Sequence, residues 1–124
     1  MTEQVVRLSV PAEPVFARAV RMMAASLAAA CEMSMDDVED VRMAAEEGFV
    51  WCCATGPDTC NISFCLSDDM VRISFALGEE SASDNEDLAL ARLLLAAVCD
   101  EYGVSEDGRT LVLQKRAEAF DGGR

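Results

Sequence analysis

The strongest constraint on the fold is a pair of alternating segments divided by a polar turn. In Cys60-Asn61-Ile62-Ser63-Phe64-Cys65-Leu66 the large apolar residues Ile62, Phe64 and Leu66 occupy every second position, and Val71-Arg72-Ile73-Ser74-Phe75 repeats the pattern after Ser67-Asp68-Asp69. A period of two places those side chains on one face of a strand. Two such strands joined by a short polar connection predict a hairpin. A sheet with one apolar face needs a cover, so the flanking sequence must supply helices.

It does so on both sides. Over residues 14 to about 31, Val15, Ala19, Met22/Met23, Ser26/Leu27 and Ala30 recur at helical spacing, with Pro14 suited to the first turn. Ser34, followed by Asp36 and Asp37, predicts an N-cap with acids where the helix dipole favours them. Val38, Val41, Ala45, Phe49 and Cys52 give this second helix a buried stripe, and Gly56-Pro57 closes it. A third helix opens at Asp87, runs through Leu88, Leu90/Ala91, Leu94/Leu95 and Val98 to about Tyr102, and ends at Gly103. Before them Val5 to Val10 predict a strand stopped by Pro11, and after them Thr110 to Lys115 predict a last strand following the Asp107-Gly108 turn. Residues 78–86 are small, polar and acidic, which predicts a surface loop.

The order β-α-α-β-β-α-β predicts an α+β, two-layer sandwich: a mixed or antiparallel sheet of about four or more strands with helices on one face. With 124 residues there is room for one domain, assigned to residues 1–116, and a loosely ordered tail over 117–124.

A hydrophobic fraction of 52% provides enough apolar area to offset chain entropy, so the chain should fold. Its net charge of −13 repels phosphate backbones and anionic lipid, which disfavours nucleic-acid and membrane partners and is compatible with a basic protein partner. Arg18, Arg21 and Arg92 interrupt the most apolar runs before they reach the roughly 18 residues of a membrane span. The first residues do not read as a secretory leader, and a cytoplasmic location is expected. In that compartment the six cysteines should be free thiols packed in the core. The absence of histidine and of any Cys-x-x-Cys pair disfavours zinc and excludes Ser-His and Cys-His nucleophile pairs. Cys52 and Cys53 lie in apolar, acidic surroundings that should raise a thiol pKa, against a redox role.

Three local sequences, in order, carry a family resemblance: Leu8-Ser9-Val10-Pro11, then Met35-Asp36-Asp37-Val38-Glu39-Asp40-Val41 leading into Ala44-Ala45-Glu46, then Cys99-Asp100-Glu101-Tyr102. Over roughly residues 7–115 the chain resembles the anti-sigma-factor serine kinases of the GHKL (histidine kinase-like) ATPase superfamily. The resemblance implies the histidine kinase-like ATPase fold and places that family's Ser-Glu-Ala-x-x-Asn motif on residues 45–50. There the Glu is implicated in activating the nucleophile and the Asn binds magnesium. Glu46 matches the first, but Val50 stands in the Asn position and offers no oxygen to a hard cation. Glu47 points about 100° around the helix and is a poor substitute.

Two further motifs implied by the resemblance are also altered. The acceptor of Asp-x-Gly, which recognises adenine, falls on Ala76 or Leu77, while Gly78 matches. The glycines that let phosphate approach a helix N-terminus fall on Ala89 and Ala91, beside the acidic Glu86 and Asp87. The resemblance therefore implies a regulatory protein that binds a sigma factor or an anti-sigma antagonist, with ATP binding and kinase activity lost or strongly impaired. Glu46 is then a vestigial catalytic position, no metal or cofactor is expected, and Phe16, Arg18, Arg21 and Met22 of the first helix are candidate partner contacts. A homodimer is expected on the same ground. The alternative is an active serine kinase using Mg-ATP, its site rebuilt from Glu46, Glu47 and Glu79.

Overall fold

A computed structural model of the chain describes residues 3–80 and 86–117, with the side chains of residues 86 and 87 set aside. Strand β1 is Gln4–Pro11; a single 3-10 turn, Pro14–Phe16, leads into α1, Ala17–Ala30, and α2 is Met35–Ala54. Then come β2, Thr59–Leu66; β3, Met70–Ala76; α3, Glu86–Val98; β4, Glu101–Val104; and β5, Thr110–Arg116. The architecture is α+β. Its five strands form one sheet in the order β1-β2-β3-β5-β4, with every neighbouring pair antiparallel.

The alternating hairpin forms the middle of the sheet. Ile62 lies opposite Phe75, Phe64 opposite Ile73 and Leu66 opposite Val71, and all six are buried. Leu8 and Val10 of β1 and Leu111 and Leu113 of β5 extend that face on either side. Helix α2 packs on β2, β3 and β5, and it contacts α1 and α3 in turn.

Helix α2 begins where the sequence predicts. The Ser34 hydroxyl accepts a 3.0 Å hydrogen bond from the Asp37 amide, satisfying one of the free N–H groups of the first turn. Its middle approaches the sheet closely because residue 48 is glycine. A Cβ there would run into the Phe75 ring and stand 3.0 Å from Leu113 Cδ1. At the start of the helix the inward-facing Lys115 of β5 reaches Asp40 at 3.0 Å and the buried Asp37 at 3.9 Å. Burial opposes the charge on Lys115, but the hydrogen bond to Asp40 and the fields of Asp40, Asp100 and Asp37 hold its pKa above the ordinary lysine value.

One element differs from the sequence expectation. The third helix stops at Val98 rather than near Tyr102, and Glu101–Val104 is an edge strand that includes Gly103. The chain leaves the helix at Cys99, whose amide still reaches the Leu95 carbonyl, while the Asp100 amide already bonds Gln114 of β5. Tyr102 then lies opposite Leu113 and packs its ring edge-on to Trp51, with centroids 6.5 Å apart. Pairing with β5, a distant partner, overrides the local helical pattern. The Asp107-Gly108 turn consequently joins β4 to β5 as a hairpin. Residues 81–85 of the expected surface loop and 118–124 of the expected tail lie outside the described residues.

Candidate functional site

Helix α2 separates two clefts, and some of the residues singled out from the sequence are divided between them, while Phe16, Arg18, Met22, Ala76, Ala89 and Ala91 line neither. Glu46, Glu47, Val50, Cys53 and Ala54 line a cleft of about 740 Å³, closed by Ala12, Pro14, Ala17 and Arg21 on one side and by Leu88 and Leu90 of α3 on the other. Trp51 and Thr55 line a second, of about 410 Å³, with Leu77, Gly78, Glu79, Glu80, Arg92, Val104, Asp107 and Gly108. Spacings of three and four residues along α2 account for both sets, because each spacing keeps side chains on one helix face.

In the first cleft Glu46 is engaged by α1. Arg21 donates a 3.1 Å hydrogen bond from Nη1 to Glu46 Oε2, and both side chains are half-buried. Arg21, expected on a partner-binding surface, is thus a cleft residue. Glu47 also faces this cleft despite its rotation from Glu46 on the helix, and it has no ion-pair partner among the described residues. Partial burial, and then the neighbouring Glu46 charge, raise its pKa above the ordinary carboxylate value. Val50 adds an apolar wall one turn further on.

The second cleft is tied together by Thr55. Its buried hydroxyl donates to the Cys52 carbonyl at 2.6 Å and accepts from the Gly78 amide at 2.7 Å, while its carbonyl accepts from the Glu80 amide at 3.0 Å. The segment after β3 is therefore fastened to the end of α2. Gly78 has a local reason to be glycine, since a Cβ would meet the Thr55 carbonyl and lie 2.7 Å from the Pro57 nitrogen. Leu77 is half-buried and lines this cleft, Phe75 is wholly in the core, and Ala76 is exposed with its carbonyl accepting the Cys52 thiol at 3.4 Å. Across the cleft the Arg92 guanidinium sits 5.1 Å from the centre of the Trp51 ring, a cation-π arrangement. That contact, like the Thr55 junction and the Arg21–Glu46 pair, joins elements distant in sequence and has no local signature.

The motif positions on α3 do not converge. Ala89 is exposed in the first turn, whereas Ala91 is fully buried and packs in the core. Position 91 also lies beyond the first four residues of α3, so its amide belongs to the helix ladder and not to the free donors at the N-terminus. On α1, Arg18 and Met22 are exposed; Phe16, expected on this helix, lies instead in the 3-10 turn before it and is half-buried. The site set Glu46, Glu47 and Glu79 is divided, the first two in one cleft and the third in the other.

All six cysteines are free thiols. Cys52 and Cys60 are buried, with Cys60 donating to Cys52 at 3.1 Å, and this bond together with burial raises the Cys60 pKa. Cys31, Cys53, Cys65 and Cys99 are half-buried. Burial pushes Cys53 up to about 11 and Cys99 up to about 12. Cys53 and Cys99 are therefore weak nucleophiles at neutral pH, whereas Cys52 departs from the sequence expectation, the hydrogen bond from Cys60 lowering its pKa against the effect of burial.

Among the described residues, no group of three or more acidic or cysteine side chains is arranged to hold a metal ion, and no helix is long and apolar enough to cross a membrane. No family model matches the sequence, and no curated protein matches it significantly.

Proposed function

We propose that this chain is a non-catalytic regulatory protein that works by binding another protein, in the manner of the anti-sigma factors its sequence resembles. The partner is a sigma factor or an anti-sigma antagonist, met in the cytoplasm, and neither nucleic acid nor membrane is engaged. The observation that carries this reading is the environment of Glu46: its carboxylate is hydrogen-bonded by Arg21, and the next residue along that face is Val50. The Arg21 contact occupies one of the two Glu46 oxygens, Oε2, and a magnesium ion bridging phosphates needs oxygen ligands that Val50 does not offer. Arg18 and Met22, exposed on α1, are available as contacts.

Two measurements test the proposal. Calorimetry with millimolar Mg-ATP should give no binding heat, and a panel of alternative sigma factors and antagonist domains should yield at least one partner. Silence from the whole panel removes the anti-sigma reading. Saturable heat with Mg-ATP followed by phosphorylation of an antagonist serine establishes the competing one, an active kinase. That second reading has one point in its favour, since Glu47 shares the cleft and lacks an ion-pair partner among the described residues.

A further inference from the structure

The exposed surface of α3 carries two leucines and is far less charged than that of α2. Among its described side chains the exposed positions are Ala89, Leu90, Arg92, Leu93, Ala96 and Ala97. Leu90 is 55% and Leu93 69% exposed. The single charge, Arg92, has its guanidinium over Trp51. By contrast α2 presents Asp36, Glu39 and Arg42 to solvent; α1, like α3, presents a single charge, Arg18, but its exposed apolar residues are Met22 and alanines, with no leucine among them. Positions 90, 93 and 97 fall on one helical stripe, an apolar ridge that stays exposed among the described residues.

The ridge continues into the first cleft. Leu90 belongs to both, and Val50, Cys53 and Ala54 prolong the apolar surface across α2. At the far end of that surface stand Glu46, paired with Arg21, and Glu47, which has no ion-pair partner of its own among the described residues although Arg21 lines the same cleft. An occupant must therefore bring apolar side chains for the ridge and a positive charge for Glu47. A second copy of this chain is a poor fit, because two bodies of net charge −13 repel.

We propose that the α3 ridge and the adjoining cleft form a docking surface for a basic amphipathic helix of another protein, its apolar stripe laid along Leu90 and Leu93 and a lysine or arginine placed against Glu47. This rests on the protein-binding reading above and names the chemistry of the partner. The mode is helix-in-groove recognition, in which anchors three and four residues apart supply affinity and flanking charges supply orientation and association rate.

The test is fluorescence anisotropy of a labelled leucine-lysine peptide of 13 residues, the length of α3, its leucines on one helical face, titrated with the full chain. A peptide of identical composition in shuffled order, without an apolar stripe, is the control. The ordered peptide should bind at least about tenfold more tightly than the shuffled one, and Leu90→Gln and Leu93→Gln should each weaken it by roughly tenfold, as expected for central apolar anchors. Glu47→Gln should weaken it several-fold and reduce its salt dependence. Met35→Gln, on the exposed start of α2, should leave it unchanged. Because Leu90 and Leu93 are exposed, the variants should keep the far-ultraviolet circular dichroism of the parent.

Equal binding of ordered and shuffled peptides, or indifference to Leu90→Gln and Leu93→Gln, overturns the proposal. So does a concentration-dependent dimer in sedimentation that Leu93→Gln abolishes, which makes a second copy the occupant. If a sigma factor or antagonist from the panel still binds the Leu90→Gln/Leu93→Gln double variant and is lost on changing Arg18 and Met22, the protein-binding reading stands and this surface is not its seat.

Discussion

Arg21 of α1 donates a 3.1 Å hydrogen bond to Glu46 of α2, so this cleft carboxylate is part of a helix-to-helix contact. Both side chains are about a third exposed, at 28% and 35%, so solvent screens their attraction and the pair adds little to stability.

Glu46→Gln should accordingly change unfolding free energy by less than about 1 kcal/mol, measured by urea denaturation. Partner binding through α1 should persist in this variant. Loss of all partner binding with intact stability would place Glu46 itself in the interface and contradict its role as a helix tie.

Gly48 holds α2 against Phe75, and Gly48→Ala should destabilise the fold by about 2 kcal/mol, within the range found for overpacked cores. Combining it with Phe75→Leu should recover part of the loss, because the smaller side chain vacates the space that the new methyl needs. A double-mutant cycle by thermal or urea unfolding reads the coupling directly, and simple additivity of the two costs would show that the contact is not the cause.

Thr55→Val keeps the shape of the side chain and removes the hydroxyl that bonds both the Cys52 carbonyl and the Gly78 amide. The Cys52 carbonyl keeps the Thr55 amide as a donor, so the cost comes from the unsatisfied Gly78 amide and should be about 1–3 kcal/mol. Hydrogen exchange should localise the effect, with the Gly78 amide losing protection while the β2–β3 ladder keeps it.

Alkaline pH should weaken the fold through Cys99 and Lys115. Burial first, outweighing the nearby Lys115 charge, pushes the Cys99 thiol from 9.0 up to about 12, so the unfolded chain releases this proton at lower pH than the folded one. That contribution is complete below pH 9 and fades as pH rises through about 12. Lys115, held above its ordinary 10.5, acts in the same direction, complete below that value and lost as pH climbs through its raised folded pKa. Urea midpoints measured from pH 8 to 12 should therefore fall, and Cys99→Ala should flatten the fall. An unchanged slope in that variant would remove Cys99 as its source.

Much of the fold was legible because its signals are local. The alternation around Phe64 and Ile73, the Ser34 cap and the Gly56-Pro57 stop each depend on residues a few positions apart, and each element appears where its pattern lies. Strand β4 was not legible: Glu101 to Val104 become a strand by pairing with β5, and Gly103, which locally signals only the end of a helix, lies within that strand. Of the candidate site positions, Glu46 and Val50 share a cleft, as residues four apart on one helix do, whereas Leu77 and Gly78 line the other cleft and Ala76, Ala89 and Ala91 line neither. The chemistry of the site was not legible, because the partner of Glu46 comes from 25 residues earlier in the chain.

By itself, then, the sequence determined the helices, the central hairpin and the residue types available to a site, all of which follow from periodicity, capping and side-chain chemistry over short spans. Tertiary structure alone decided that Arg21 meets Glu46, that Glu47 and Glu79 open into different clefts, that Gly78 serves the approach to Thr55 and Pro57, and that Leu90 and Leu93 remain exposed. The physical reason is that these relationships depend on how α1, α2 and α3 pack upon one another, and packing brings together residues whose distance along the chain carries no information about their distance in space.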